Sequence, residues 1–254
     1  MTTTPETTTT ASDHTAATRP VALVTGANKG LGLETVARLA ALGWTVHLGA
    51  SDPERLEKAV AEVQGRVDGA DVRALPLDVT DDASVAAAVE VVRVASGHLD
   101  VLVNNAGVAG TPAAPGDVVA ADFLPVYGVN VLGPVRMTAA FLPLLRAAAA
   151  PRVVMVSSGL GSFAATSDPE RIESQVPAVV YTSSKAALNM ITHQYARFLE
   201  GVRVVSVDPG YTATDLNGHS GPQTVTEGTD AIVQACTAEE LPGTFFSRSG
   251  AEAW

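Results

Sequence analysis

From Val21 onward, short runs rich in Val, Leu and Ile alternate with longer helix-like stretches, and this rhythm restricts the fold more than any single motif. The runs are Val21 to Thr25, Thr45 to Gly49, Val72 to Leu77, Asp100 to Asn104, Arg152 to Ser157 and Val202 to Val207. Most are nearly continuously apolar, which is the pattern of strands buried on both faces in a parallel sheet. Between them lie Leu31 to Leu42, Pro53 to Gln64, Asp81 to Ala95, Asp117 to Ala150 and Val179 to Leu199. The order is a repeated βαβ, so the sequence predicts an α/β fold with a doubly wound, Rossmann-type parallel sheet. A last helix is expected around Glu227 to Cys236 and a last strand at Gly243 to Ser247.

With 254 residues, 46% hydrophobic and 17% charged, the chain can bury one sizeable core, and a single domain over 20–254 is expected. Met1 to Arg19 is Thr-rich and has neither a basic nor an apolar region of a secretory signal; it reads as a disordered tail. A formal charge of −11 argues against nucleic acid or an anionic membrane as partner, since both require clustered Lys and Arg. No apolar run approaches the roughly 20 residues that span a bilayer. Cys236 is the only cysteine, which rules out an internal disulfide and a Cys-rich metal site and suits a reducing, cytoplasmic setting. The five histidines form no H-E-x-x-H arrangement and no metal site is expected. No serine sits in a G-x-S-x-G elbow, which speaks against a serine hydrolase.

The first strand runs into Thr25-Gly26-Ala27-Asn28-Lys29-Gly30-Leu31-Gly32 just where a helix should begin. Glycines there allow a tight turn and let a pyrophosphate approach the N–H groups of a helix N-terminus, so dinucleotide binding is expected. Asp78, with Val79 behind it, ends the third strand region, where a carboxylate could accept from an adenine amino group. Asn104, Asn105, Ala106 and Gly107 at the end of the fourth fit a floor under a cofactor ring. Tyr181 and Lys185 lie four residues apart, hence on one helix face. At about 5 Å and an effective dielectric of ~20, an ammonium stabilises a phenolate by roughly 3 kcal/mol, about two pKa units. A lowered Tyr181 is therefore expected. Pro134 has no N–H, so the carbonyl of Asn130 lacks its α-helical donor and can hold a water.

Taken in order, Thr25 to Gly32, Asn104 to Gly107, Ser158, Tyr181 with Lys185, and Pro209-Gly210 resemble the short-chain dehydrogenase/reductase family, over nearly all the chain from Val21. The resemblance implies hydride transfer between a nicotinamide cofactor and a small carbonyl or alcohol, with Asn130, Ser158, Tyr181 and Lys185 as the catalytic set. Tyr181 would be the general acid and base, Lys185 would also contact the nicotinamide ribose, and Pro209, Gly210, Thr212 and Thr214 would meet the nicotinamide and phosphates. Lys29 resembles the basic residue with which NADP-preferring members hold the 2′-phosphate. Ala50 stands where NAD-preferring members carry an acid, and Ser51 where many NADP-preferring members carry Arg. NADP(H) is favoured over NAD(H). The 22 residues between Ser158 and Tyr181 resemble the extended region of carbonyl-reductase-like members; they could wall the substrate site and favour a monomer or dimer over a tetramer. The polar stretch 215–223 suits a mobile lid. The alternative on the same fold is a catalytically idle dinucleotide sensor or scaffold.

Overall fold

A computed structural model describes residues 19–254; the expected tail, apart from Arg19, lies outside the described residues. The strands are β1 (Val21–Val24), β2 (Thr45–Ala50), β3 (Asp71–Pro76), β4 (Val101–Asn104), β5 (Arg152–Val156), β6 (Arg203–Asp208), β7 (Phe245–Ser247) and β8 (Gly250–Ala251). They form one sheet in the order β3-β2-β1-β4-β5-β6-β7-β8, parallel throughout except for the β7–β8 pair. Every expected strand is present within about two residues of its expected bounds, because a run apolar on both faces has no other place to go. β8 was not expected; two residues returning through a turn at Arg248 and Ser249 carry no periodic signal.

The helices are α1 (Gly30–Ala41), α2 (Pro53–Arg66), α3 (Asp82–Ser96), α4 (Ala120–Tyr127), α5 (Gly133–Arg146), α6 (Phe163–Ser167), α7 (Val179–Phe198), α8 (Val225–Gly228) and α9 (Asp230–Thr237). One apolar layer joins α1, α2 and α9 to one face of the sheet, through residues such as Val36, Leu39, Leu56, Val63 and Ile232. The opposite layer joins α3, α5 and α7 to the other face, through Val85, Val92, Met137, Phe141 and Leu188. The chain reverses direction across the sheet between β1 and β4, which opens a crevice at the carboxyl ends of the strands.

The segment expected as one helix from Asp117 to Ala150 is instead α4 and α5 joined by a π-helical turn at Gly128–Leu132, in which the Gly133 N–H reaches back to the Gly128 carbonyl. The wider turn falls just before Pro134, whose missing donor makes regular α-helical pairing impossible there. Ala120–Arg146 as a whole spans 27 residues and is apolar enough to cross a membrane, contrary to the expectation that no such run exists. Half of its most apolar window is buried in the fold, with Met137, Phe141 and Leu145 packed under the sheet. It is a core helix.

His47 on β2 is fully enclosed (0% exposed), with Nε2 3.4 Å from Ser96 Oγ and no partner for Nδ1. Burial first, and then Arg73, lower its pKa from 6.5 to about 4. The folded state keeps the ring neutral while the unfolded chain takes up a proton below 6.5, so this contribution to stability is lost as pH falls from 6.5 to 4. Urea unfolding across that window should show His47→Gln gaining up to about 3 kcal/mol on the parent protein; an unchanged difference would contradict this.

Candidate active site

Two turns at the crevice are fastened together by one hydroxyl. Thr25 Oγ1 accepts from the Asn105 and Ala106 N–H groups at 3.0 Å each, and the Asn105 amide donates to the Thr25 and Gly26 carbonyls at 2.8 and 3.1 Å. Gly26 adopts φ +60°, and a Cβ there would stand 2.7 Å from the Ala106 Cα, so only glycine fits. The glycine turn and the Asn105–Gly107 floor are thereby brought together as the sequence suggested. α1 begins at Gly30; its N-cap Lys29 makes no side-chain cap and no acid stands in its first turn. Its leading N–H groups are thus available to an anion, and the half-buried Asn28 and Leu31 flank them. This cradle fits a dinucleotide pyrophosphate.

The opposite wall is α7. Lys185 is buried and its Nζ donates to the Val156 carbonyl at the end of β5, at 2.8 Å. A Cβ on Gly161 would lie 2.6 Å from the Lys185 carbonyl carbon; the bare backbone there lets the chain after β5 lie flat on α7. Asn189 completes the attachment: its Oδ1 accepts from Ser157 and Ser206 at 2.6 and 2.8 Å, and its amide donates to the Gly161 carbonyl at 3.1 Å. Tyr181, one turn before Lys185, lines the same cavity as Ser158, and the Lys185 ammonium sits 5.7 Å from its ring centroid. Asn130, fully buried in the π turn, clasps Val108 through both N–H and carbonyl at 2.9 Å and donates to Ser184 Oγ at 3.0 Å. A Cβ on Gly107 would be 3.5 Å from Asn130 Oδ1 and 3.8 Å from Lys185 Nζ. Asn130, Ser158, Tyr181, Lys185 and Gly107 therefore converge.

The electrostatics differ from the expectation. Burial, followed by Asp208, pushes the Tyr181 phenol well above its ordinary value, against the neighbouring Ser158, which favours the phenolate. Burial also lowers Lys185 to about 8, with Asp208 pulling the other way. Desolvation of both partners outweighs the attraction that their spacing alone promised.

Pro209, Gly210, Thr212 and Thr214 leave β6 and cross towards the glycine turn, where Thr214 approaches Gly30. Thr212 is buried, with its hydroxyl on the Pro209 carbonyl at 3.0 Å, so it shapes the turn itself. Lys29 Nζ meets Asp215 Oδ2 at 2.7 Å across this junction. Ser51 follows β2 and is exposed, and Asp52 beside it caps α2 by accepting from the Arg55 N–H. Asp78 is exposed and closes its own turn, accepting from the Thr80 N–H and hydroxyl at 2.8 and 2.7 Å; Val79 is buried, with its carbonyl held by Arg136. Neither Ser51 nor Asp78 reaches the cavity beside Tyr181. His193 packs edge-on against Trp254, away from the site.

That cavity measures about 780 Å³ and is lined by Ser158, Tyr181 and Thr214, by the apolar side chains of Leu31, Ile172, Val176, Val179 and Leu216, and by Asp208 and Glu173. Residues 159–180 supply much of its wall, as expected, and Leu216 and Asn217 of the 215–223 stretch line its mouth. Asp208 and Glu173 were not singled out from the sequence. Asp208 precedes Pro209 at the carboxyl end of a strand, where ligands bind in such sheets, and that position was its one available signal; Glu173 had none.

A family model described as short chain dehydrogenase matches residues 20–224. A short-chain dehydrogenase, anuI, of Penicillium roqueforti is 36% identical over 92% of this chain and 94% of its own length. Among solved structures, the NADPH-bound carbonyl reductase from chicken fatty liver superposes with a TM-score of 0.80 at 29% identity, covering 93% of this chain and all of that one. A 3-ketoacyl-(acyl-carrier-protein) reductase of Brucella melitensis complexed with NADH gives 0.76 at 25% identity, over 90% and 96% of the two chains.

Thr25→Val keeps the shape of the residue that joins the two turns but leaves two backbone N–H groups without their acceptor. Urea unfolding should show a loss of about 2–4 kcal/mol; a loss below about 0.5 kcal/mol would remove Thr25 from this role.

Proposed function

The chain belongs to the short-chain dehydrogenase/reductase family and is a nicotinamide-dependent oxidoreductase, and from that premise we propose that it is an NADP(H)-dependent reductase of small carbonyl compounds with Tyr181 as proton donor. The observation that supports the reading is that the Ser158 hydroxyl and the Tyr181 phenol share one wall of a largely apolar cavity, with the buried Lys185 ammonium 5.7 Å from the Tyr181 ring. When bound, the nicotinamide supplies the hydride. Ser158 holds the substrate oxygen by a hydrogen bond, and Tyr181 delivers the proton to that oxygen as charge develops on it. A water held by the carbonyl of Asn130, which Pro134 deprives of its α-helical donor, would join Lys185 to a proton relay to solvent.

Gly26, Asn28, Gly30, Leu31 and Gly32 would cradle the pyrophosphate at the start of α1, and Asn105, Ala106 and Gly107 would support the nicotinamide side together with Pro209, Gly210, Thr212 and Thr214. Ser51, Asp78 and Val79, at the ends of β2 and β3, would border the adenosine. Lys29 is the residue we assign to the 2′-phosphate, and no carboxylate at the end of β2 opposes it: Ala50 and Ser51 follow one another there, and Asp52 is turned to its helix cap. A 2′-phosphate would take the place of Asp215 on the Lys29 ammonium.

Two measurements test this reading. Tyr181→Phe should lower kcat/KM for carbonyl reduction by about a thousandfold while NADPH still binds; retained turnover would sink the mechanism. Lys29→Ala should raise KM for NADPH about tenfold and leave that for NADH nearly unchanged; a parent enzyme that prefers NADH would refute the cofactor assignment.

A further inference from the structure

The cavity beside Tyr181 is lined by a carboxyl group that has no direct ion pair among the described residues. Asp208 is 5% exposed and lines the cavity at the end of β6. Its Oδ1 accepts from the Gly210 N–H at 2.9 Å, and its Oδ2 lies beside Gly159. Among the described residues no Lys, Arg or His forms an ion pair with it; the Lys185 ammonium acts on it only at a distance and donates to the Val156 carbonyl instead. Glu173 faces the same spot: its Oε1 and Asp208 Oδ2 stand 2.7 and 3.0 Å from where a Cβ on Gly159 would be. Glu173 does have a cation, Arg171, at 3.1 Å, but Arg171 is shared with Glu252, also at 3.1 Å. Glu173 and Glu252 thus divide one guanidinium, and Asp208 has no share in it.

A carboxylate removed from water without a counter-ion is among the costliest groups to bury. The Gly210 N–H takes only one oxygen, which an asparagine would also supply without that cost, so shaping this turn does not account for the charge. One N–H donor also leaves much of the acceptor capacity of the carboxylate free for a ligand. The complement is a cationic hydrogen-bond donor brought in by a ligand with an apolar body. We propose that Asp208 is the specificity-determining residue of this enzyme, selecting carbonyl substrates that carry a protonated amine on an apolar frame. The inference rests on the reductase reading for the chemistry and on the cavity alone for the recognition. Burial and the neighbouring Glu252 and Glu173 push the Asp208 pKa up, and an incoming ammonium would pull it back, so the proton balance of binding also favours a cation.

The test uses two ketones of the same shape, para-(dimethylaminomethyl)acetophenone and para-isobutylacetophenone, which differ in a protonated nitrogen against a carbon. The unmutated enzyme should show a kcat/KM at least about tenfold higher for the amine, and Asp208→Asn should erase most of that ratio through KM of the amine. Equal or reversed values in the unmutated enzyme, or a ratio that survives in Asp208→Asn, would overturn the proposal. Calorimetric binding of dimethylbenzylamine and isobutylbenzene to the full unmutated chain decides the matter independently of turnover and of how the variant folds. Tighter binding of the amine supports the proposal, and equal or weaker binding overturns it. Failure of both ketones to react, with NADPH bound, counts against the reductase reading and leaves the binding result to judge Asp208.

Discussion

The bond from the Lys185 ammonium to the Val156 carbonyl is the contact on which the rest of the site depends. A buried ammonium must keep its acceptors, so α7 cannot slide along or rotate on the sheet without stranding a charge. Around it, Gly161 lets two backbones touch, and Asn189 collects two serine hydroxyls from β5 and β6. Each of these contacts is to the carboxyl end of a parallel strand, the edge at which the fold opens its crevice. Tyr181 is thereby presented at a fixed height above Ser158, and the position of the phenol follows from how the lysine is buried.

The crevice is polarised along its length. At the glycine turn, uncapped N–H groups of α1 and the Lys29 side chain present positive charge, with Asp215 laid across it at 2.7 Å. At the other end Asp208 and Glu173 present negative charge inside an apolar wall. An anionic cofactor and a cationic substrate would each meet the opposite sign, and neither would be drawn to the place of the other. The overall charge of −11 does not reveal this division, because it sums over two sites of opposite sign.

Much of the architecture was legible because it depends on local pattern. β1, β2 and β4 to β6 are largely buried on both faces, with the edge strand β3 buried at Val72 and Leu75, the turn at Gly26 requires a residue that tolerates positive φ, and Tyr181 and Lys185 are one helical turn apart. The cap that Asp52 gives α2 is equally local, since its side chain needs only the N–H group three residues on. What depends on distant partners was not legible. Asp208 and Glu173 are 35 positions apart and meet only because 159–180 folds back over β6. The π turn results from competition between Pro134 and the packing of α5, which no periodicity records. Asp78 shows the limit from the other side: its position suggested a ligand, and its nearest partners are in its own turn.

The opposing shifts of Tyr181 and Lys185 belong together. A spacing argument weighs only the attraction between ammonium and phenolate and so expects an acidic phenol. Burial acts against both charged forms at once, raising the phenol and lowering the ammonium to about 8, and Asp208 adds a negative charge that disfavours phenolate while supporting the ammonium. At neutral pH both groups therefore keep their protons. A phenol held protonated beside a buried ammonium is a donor awaiting a base, and the oxygen of a carbonyl that has just received hydride is a strong one. Oxidation of an alcohol requires the phenolate, which this arrangement makes expensive. In the proposed reaction, burial above all, with Asp208 acting in the same sense, keeps the Tyr181 phenol protonated, the state in which it would donate to a substrate oxygen.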